Sequence, residues 1–407
     1  MNIIVGIEDI NLYGSRLSVS AKELAAFRNL SEKGLKDVGF TKKTIVPLFE
    51  DPVTLAVNAA KPLLDAIDKN TIGLLIVATE SGLDYGKPIS SYVHRYLDLN
   101  THCRNFEIKH ACYGGTAALQ MALNWLRLES PDKKALVISS DVARPHIGHL
   151  AELTAGSGAS ALLLSHQPKA CIIGPVTGYA SREVYDVARP TLKYEHGNPV
   201  LSLYSYLDLL ELAWEDYAKK ASISPQNFKE QFDYILFHTP LISLVDKAFS
   251  TLLKNIYEDI ENEEIKTSFH QMVYPSFLYN YELANIYSGS LYAALAGLLE
   301  VVHEEKGQMK KVGFFSYGSG ACAEFFSGEV NPAFTSKVHK KIKEHLETRR
   351  VITPEEYEKL VYDYEDILHL KDYTTDLNNA YYKDLYQNSN LLVLESIADY
   401  YRNYKWS

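Results

Sequence analysis

Short runs dense in Val, Ile, Leu and Phe recur along this chain, separated by longer amphipathic stretches. Apolar runs of strand length bounded by turn residues read as buried strands, and the 3.6-residue periodicity between them reads as helices. The pattern therefore predicts βα units around a buried, mostly parallel or mixed sheet. Strands are expected over 72–78, 135–139, 161–164, 234–237 and 312–316, and helices over 52–67, 114–128, 204–220 and 286–303.

The remaining sequence bounds the class. A chain of 407 residues that is 46% hydrophobic can bury a large core. It contains no long apolar run of membrane-spanning length, and MNIIVGIEDINLYGS lacks the basic flank and apolar stretch of a secretory signal, so a soluble, cytoplasmic protein is expected. Cys103, Cys112, Cys171 and Cys322 lie far apart with no CxxC pair, which indicates free thiols rather than a disulfide framework or zinc site. A net charge of -10 argues against nucleic acid as a partner. No Pro-, Gly- or Ser-rich linker divides the chain. One compact α/β unit of two similar halves, 1–170 and 171–407, is expected. The stretch 258–266 reads as a solvated surface excursion, and 329–407 as peripheral helices with an edge strand.

A duplicated architecture is implied by two recurring events. The strand over 72–78 ends just before Glu80, and the strand over 234–237 ends just before His238. Cys112 precedes the small-residue helix GGTAALQMAL, and Asn285 precedes IYSGSLYAALAGLL. Two similar halves facing one another bring these four side chains together.

The sharpest local signal for chemistry is EIKHACYGGTAALQ. Cys112 stands before a Gly-Gly turn that opens a helix, where backbone amides and the helix dipole favour a thiolate and Gly114 and Gly115 keep space beside the sulfur. A buried structural cysteine at a helix start reads equally well from this stretch alone. Glu80, just past a buried strand, is placed where desolvation raises its pKa and suits it to taking a proton from carbon, although strand-end Glu residues are more often solvated or helix caps. His238 sits at the matching place in FHTP, where core and capping roles are common. SYGSG, with Gly318, Ser319 and Gly320, makes a turn whose amides can face a thioester oxygen. Cys103, Cys171 and Cys322 read as structural.

The motifs EDPVTLAVNAA, ATESGLD, ACYGGTAAL, SSDVAR, FHTP, ANIYSGSLYAAL and SYGSG occur in an order that resembles the HMG synthase family over essentially the whole chain. The resemblance implies a thiolase-like fold, Cys112 as the acylated cysteine, Glu80 as general acid/base, and His238, Asn285 and Ser319 as the remaining active-site residues. DYGKPISSYVHRYLDL looks most like the branch that performs β-branching on acyl carrier proteins in polyketide assembly, and so does Ser243, which stands where enzymes using coenzyme A often place Lys. Only Lys247 keeps the second such position.

The same resemblance makes Arg28 a candidate for the phosphopantetheine phosphate and Lys247 and Gly318 substrate-binding residues. Lys42, Lys43, Lys310 and Lys311 join Lys247 as candidates for docking an acidic carrier. It implies a homodimer and no cofactor besides the phosphopantetheine carried by the substrates. The mevalonate-type HMG-CoA synthase is the rival reading, and a non-catalytic carrier-binding protein a distant one.

Overall fold

The computed structural model describes residues 3–407 apart from Pro145, Leu192, Tyr194 and Lys306. Among these residues the largest sheet has nine strands. In chain order they are β1 (Gly6–Tyr13), β2 (Ile72–Ala78), β3 (Arg104–Ile108), β4 (Lys134–Asp141), β5 (Gly158–Ser165), β6 (Cys171–Ser181), β7 (Tyr234–Phe237), β8 (Lys310–Gly318) and β9 (Cys322–Val330). Their spatial order is β7-β8-β9-β6-β1-β5-β4-β2-β3. The β2–β3, β2–β4 and β7–β8 pairs are parallel and the others antiparallel, so the sheet is mixed.

Only Gly6↔Ile172 and Ile7↔Cys171 join β1 to β6, so the sheet is two blocks held by a short seam. Side-chain alternation along each strand then builds the layers. In β2, Leu74 and Ile76 point to one cluster while Leu75 and Val77 point to another, and Ala135 and Val137 alternate with Leu136 and Ile138 in β4. In the second block, Leu236 and Phe314 face the same cluster as Leu74, whereas Phe237 and Phe315 face a third.

The shared cluster contains two helices, α2 (Gly114–Leu126) and α5 (Ser290–Glu305). Helix α1 (Pro52–Leu64) covers the outer face of the first block, and α3 (Pro199–Ala221) with α4 (Ile242–Ile256) covers that of the second. The result is five layers with a helix pair in the middle, a thiolase-like fold, as the FHTP and ACYGGTAAL resemblance implied.

Helix α1 shows how local sequence sets an element. Asp51 Oδ1 accepts the Val53 and Thr54 amides, Thr54 reciprocates to the Asp51 amide, and Pro52 occupies the first turn where its missing N–H costs nothing. The helix stops at Leu64, short of the expected 67.

Two expectations for the rest of the chain need amendment. The tail is less peripheral than its charge implied. Arg350–Ile352 pairs with Leu17–Ser20, and the hairpin Leu392–Ala398/Tyr401–Trp406 brings Arg402 and Tyr404 onto Asp51 Oδ2 at 3.2 and 2.7 Å. The stretch 258–266 is mostly exposed, yet a helix (Asn262–Met272) begins within it because Ile265, Phe269 and Met272 form a buried stripe.

Candidate active site

The ends of β2, β4, β7 and β8 and the starts of α2 and α5 converge on one place. Strand β4 ends in Asp141, a fully buried carboxylate whose Oδ1 accepts from Thr79 Oγ1 at 3.0 Å, the Glu80 amide at 2.9 Å and Ser81 Oγ at 2.9 Å. This fixes the turn after β2 and holds Glu80 on the wall of a cleft of about 420 Å³, lined also by Leu83, Tyr85, Glu107 and Lys109. The Cys112 thiol donates to Glu80 Oε1 at 3.6 Å.

Close packing explains the glycines here. A Cβ on Gly115 would stand 2.4 Å from Ser139 Oγ and 3.1 Å from the Ser288 carbonyl, so this glycine lets the two central helices and β4 approach. The space expected beside the sulfur is thus taken up by helix packing. A Cβ on Gly318 would lie 2.4 Å from the Tyr113 amide nitrogen, which brings the end of β8 directly against the cysteine loop.

His238 follows β7, where its N–H donates to the Phe315 carbonyl at 2.8 Å and its carbonyl accepts from Tyr206 OH at 2.7 Å. The parallel pairing of Phe237 with Phe315 sets it beside Ser316, two residues before Gly318. It is 1% exposed, its Nδ1 has no partner among the described residues, and burial pushes its pKa down to about 3. The ring is neutral at any working pH.

Asn285 is pinned by its backbone, the N–H to the Thr154 carbonyl and the C=O to the Gly156 amide. Its Oδ1 accepts the Tyr287 amide at 3.0 Å and Ser290 Oγ at 2.9 Å, which leaves the amide N–H₂ as the end with hydrogens to offer. Ser319 sits in the β8–β9 turn, half-buried. Buried Asp186 holds that turn by accepting the Gly320 amide at 3.0 Å and Tyr317 OH at 2.7 Å.

The electrostatics overturn one expectation. The cysteine is not a ready thiolate: burial, then the neighbouring Glu80, Asp141 and Glu195 carboxyls, push its pKa well above the usual thiol range. Helix α2 starts beside it, but burial together with the nearby acids outweighs a dipole of about half a charge. Burial likewise raises Glu80 to about 8, against the attraction of Arg189, and Asp141 to about 6.

Arg28 and Lys247 lie outside this cluster. The Arg28 guanidinium is paired with buried Glu152 at 3.0 Å and with Glu358 at 2.9 Å. Lys247 is exposed on α4, whose first residue Ile242 packs at Gly39 beside the helix Glu32–Val38. Of the other lysines expected to face a carrier, Lys43 is 1% exposed, with Nζ bonded to the Glu152 carbonyl and Tyr357 OH and its pKa lowered to about 7 by burial. Lys310 and Lys311 begin β8, about 26 Å of strand from the Gly318 end.

Sequence reasoning missed Asp141, Asp186, Arg189, Glu195, Tyr113 and Glu324 as parts of this site. Tyr113 OH donates to buried Glu324 at 2.7 Å, and Cys322, read from the sequence as structural, shares that hydroxyl on the residue next to Cys112. Of these, Asp141 lay in the quoted motif SSDVAR and Tyr113 in ACYGGTAAL, where neither was given a role.

A five-layer thiolase-like fold with a cysteine and a carboxyl in contact at the head of its central helix defines an acyl-transferring, carbon–carbon condensing enzyme. The chain belongs to the hydroxymethylglutaryl-coenzyme A synthase family: the N-terminal family model matches residues 2–170 and the C-terminal model residues 175–272 and 262–406. It is 36% identical over 423 residues to the polyketide biosynthesis 3-hydroxy-3-methylglutaryl-ACP synthase PksG of Bacillus subtilis (strain 168), covering 99% of both chains. It is 32% identical to the hydroxymethylglutaryl-CoA synthase of Enterococcus faecalis over 88% of this chain and 91% of that one. The HMG synthase of the curacin biosynthetic pathway, solved also in complex with acetyl donor-ACP, superposes with a TM-score of 0.92 at 35% identity, covering 99% of this chain and all of that one. Among the described residues no helix is long and apolar enough to cross a membrane.

Proposed function

We propose that this enzyme performs β-branching on carrier-bound polyketide intermediates. It would condense an acetyl unit from acetyl-ACP with the β-ketone of an acyl-ACP to give a 3-hydroxy-3-carboxymethyl acyl-ACP. The observation that carries the chemistry is the Cys112–Glu80 contact at 3.6 Å; likeness to PksG and to the curacin enzyme supports carrier proteins as partners.

Cys112 sulfur attacks the acetyl thioester, and the carrier thiol leaves with a proton. Glu80 carboxylate takes a methyl proton from acetyl-Cys112, and amides near Cys112 and Ser319 hold the enolate oxygen. The enolate carbon adds to the β-ketone, whose oxygen is polarised by neutral His238, while the Asn285 N–H₂ and Gly318 face the acceptor thioester. The proton on Glu80 returns to the new alkoxide. Water then cleaves the thioester to Cys112, freeing a carboxylate and regenerating the thiol. These steps move protons and acyl groups only, so the reading calls for no metal or redox cofactor, and phosphopantetheine comes with the substrates.

Arg28 would reach the phosphopantetheine phosphate by exchanging its outer partner, Glu358, while keeping Glu152; Lys247 stands on the neighbouring α4 surface. A homodimer also belongs to this reading, since β3 (Arg104–Ile108) closes the sheet with an unpaired edge that a twofold copy can extend. A cytoplasmic location is consistent with four free thiols.

Mass spectrometry of the Cys112 peptide after incubation with acetyl-ACP or acetyl-CoA tests the proposal, with Cys112→Ser as control. Faster acetylation from the carrier is expected. Efficient acetylation from coenzyme A moves the enzyme to the mevalonate-type reaction, and acetylation from neither refutes the chemistry.

A further inference from the structure

The arrangement of charge around Glu80 singles out a residue to which none of the motifs gives a role. We propose that Arg189 is the positioning residue that ties Glu195 and the turn carrying Glu80 together and keeps that carboxyl competent as a base, an inference that rests on Glu80 being the proton carrier.

Arg189 comes from the segment between β6 and α3, with its side chain only 8% exposed. One terminal nitrogen donates to the Glu80 carbonyl at 3.1 Å and to Ser81 Oγ at 2.9 Å. The other donates to Glu195 Oε2 at 2.8 Å and to Tyr287 OH at 3.1 Å. Its guanidinium also stands 5.2 Å over the Tyr287 ring. Tyr287 belongs to the turn that Asn285 caps, so one side chain ties the Glu80 turn, Glu195 and the start of α5.

Apart from Arg189, the groups that act on the Glu80 carboxyl from within the site are acidic or neutral, and the other cation of the cleft, Lys109, lies on its open side. Cys112, Asp141 and Glu195 surround the carboxyl, and Asp84, Glu107 and Lys109 line the open side of its cleft. With Arg189 removed, three carboxyls and a thiol would share a desolvated site, and like-charge repulsion would keep Glu80 protonated. A protonated carboxyl cannot take the methyl proton. Burial works against the charge of Arg189, but Tyr287, Glu80 and Glu195 hold it protonated above even its usual range. Arg189 contacts the backbone of Glu80, hence a positioning role. Lysine in its place restores a charge but cannot hold four acceptors with one fork.

The test is the pH dependence of kcat/KM for condensation in the wild type, Arg189→Met, Arg189→Lys and Glu195→Gln, with Glu80→Gln alongside and thermal melts confirming folding. Arg189→Met should move the acidic limb upward by about one pH unit, a loss of about tenfold below the limb that narrows at high pH. Arg189→Lys should keep the limb and lower the plateau. Glu195→Gln removes a negative neighbour and should move the limb downward, a readout that stands even if Arg189→Met does not fold. An unmoved limb in both Arg189→Met and Glu195→Gln, with only the plateau reduced, overturns the proposal. Full condensation by Glu80→Gln would instead overturn the reading of Glu80, whatever the Arg189 variants do.

Discussion

Cys112 and Glu80 share one hydrogen bond at 3.6 Å in a site that favours neither charge. Burial and mutual repulsion make the doubly ionised pair the costliest state, so the pair rests with its protons on and condensation begins when Glu80 gives one up.

Condensation should therefore rise with pH through about 8, the position to which burial lifts Glu80. Glu80→Gln should lower condensation by about 10²–10⁴-fold while Cys112 still takes up acetyl from its donor. Quenched-flow turnover with parallel peptide mass spectrometry checks both, and a flat profile from pH 6 to 9 contradicts the assignment.

His238 is expected to contribute no limb near its ordinary range, because burial holds its pKa down to about 3 and the imidazole is neutral throughout. Removing its ring with His238→Ala should slow addition to the ketone by about 10²–10³-fold and leave acetylation of Cys112 within a few fold. NMR of ring-labelled histidine should find a neutral imidazole from pH 6 to 9.

Arg402→Met strips the counter-ion from Asp51, which caps α1 with one oxygen and meets Arg402 and Tyr404 with the other. Leaving that carboxylate buried and uncompensated should cost about 3–5 kcal/mol, read as a lower midpoint in urea. A midpoint equal to wild type would mean the tail hairpin is held by packing alone.

Glu50 gives a stability prediction of opposite sign. It is fully buried, and burial raises its pKa from 4.5 to about 7 against the hydrogen bonds from Ser15 and Tyr13. A carboxyl raised on folding binds more protons in the native state, so stability is fullest below pH 4.5 and declines as pH rises through 7. Glu50→Gln should be near neutral at pH 5 and stabilise by about 1–3 kcal/mol at pH 8, with a matching rise in Tm. Equal effects at the two pH values would refute the shift.

The strands 72–78 and 234–237 coincide with β2 and β7 because their apolar runs are unbroken. The central β1 escaped notice for the reverse reason: GIEDINLY carries Glu8 and Asp9, and only the folded chain supplies Lys134 and Lys169 to the first and Ser336 to the second. Strand β6, CIIGPVTGYAS, was not among the expected strands because two glycines and a proline interrupt its apolar run, yet Gly178 is needed in it because a Cβ there would sit 2.1 Å from the Tyr217 amide of α3. Cys112, Glu80 and His238 announce themselves by standing at the ends of regular elements. Arg189, Asp186 and Glu195 lie in a connection without periodicity, and their meaning depends on partners more than a hundred residues away, such as Glu80.

Helices α2 and α5 come from opposite halves of the chain but occupy one layer, and this orders the enzyme's birth. The ribosome completes the first half with the inward faces of α2 and β1 still bare. That surface waits until the segment around 290–330 emerges, some 10–35 s at ordinary elongation rates. Until then the bare apolar face is open to association with other chains, and the active site comes into being only with the burial of that surface.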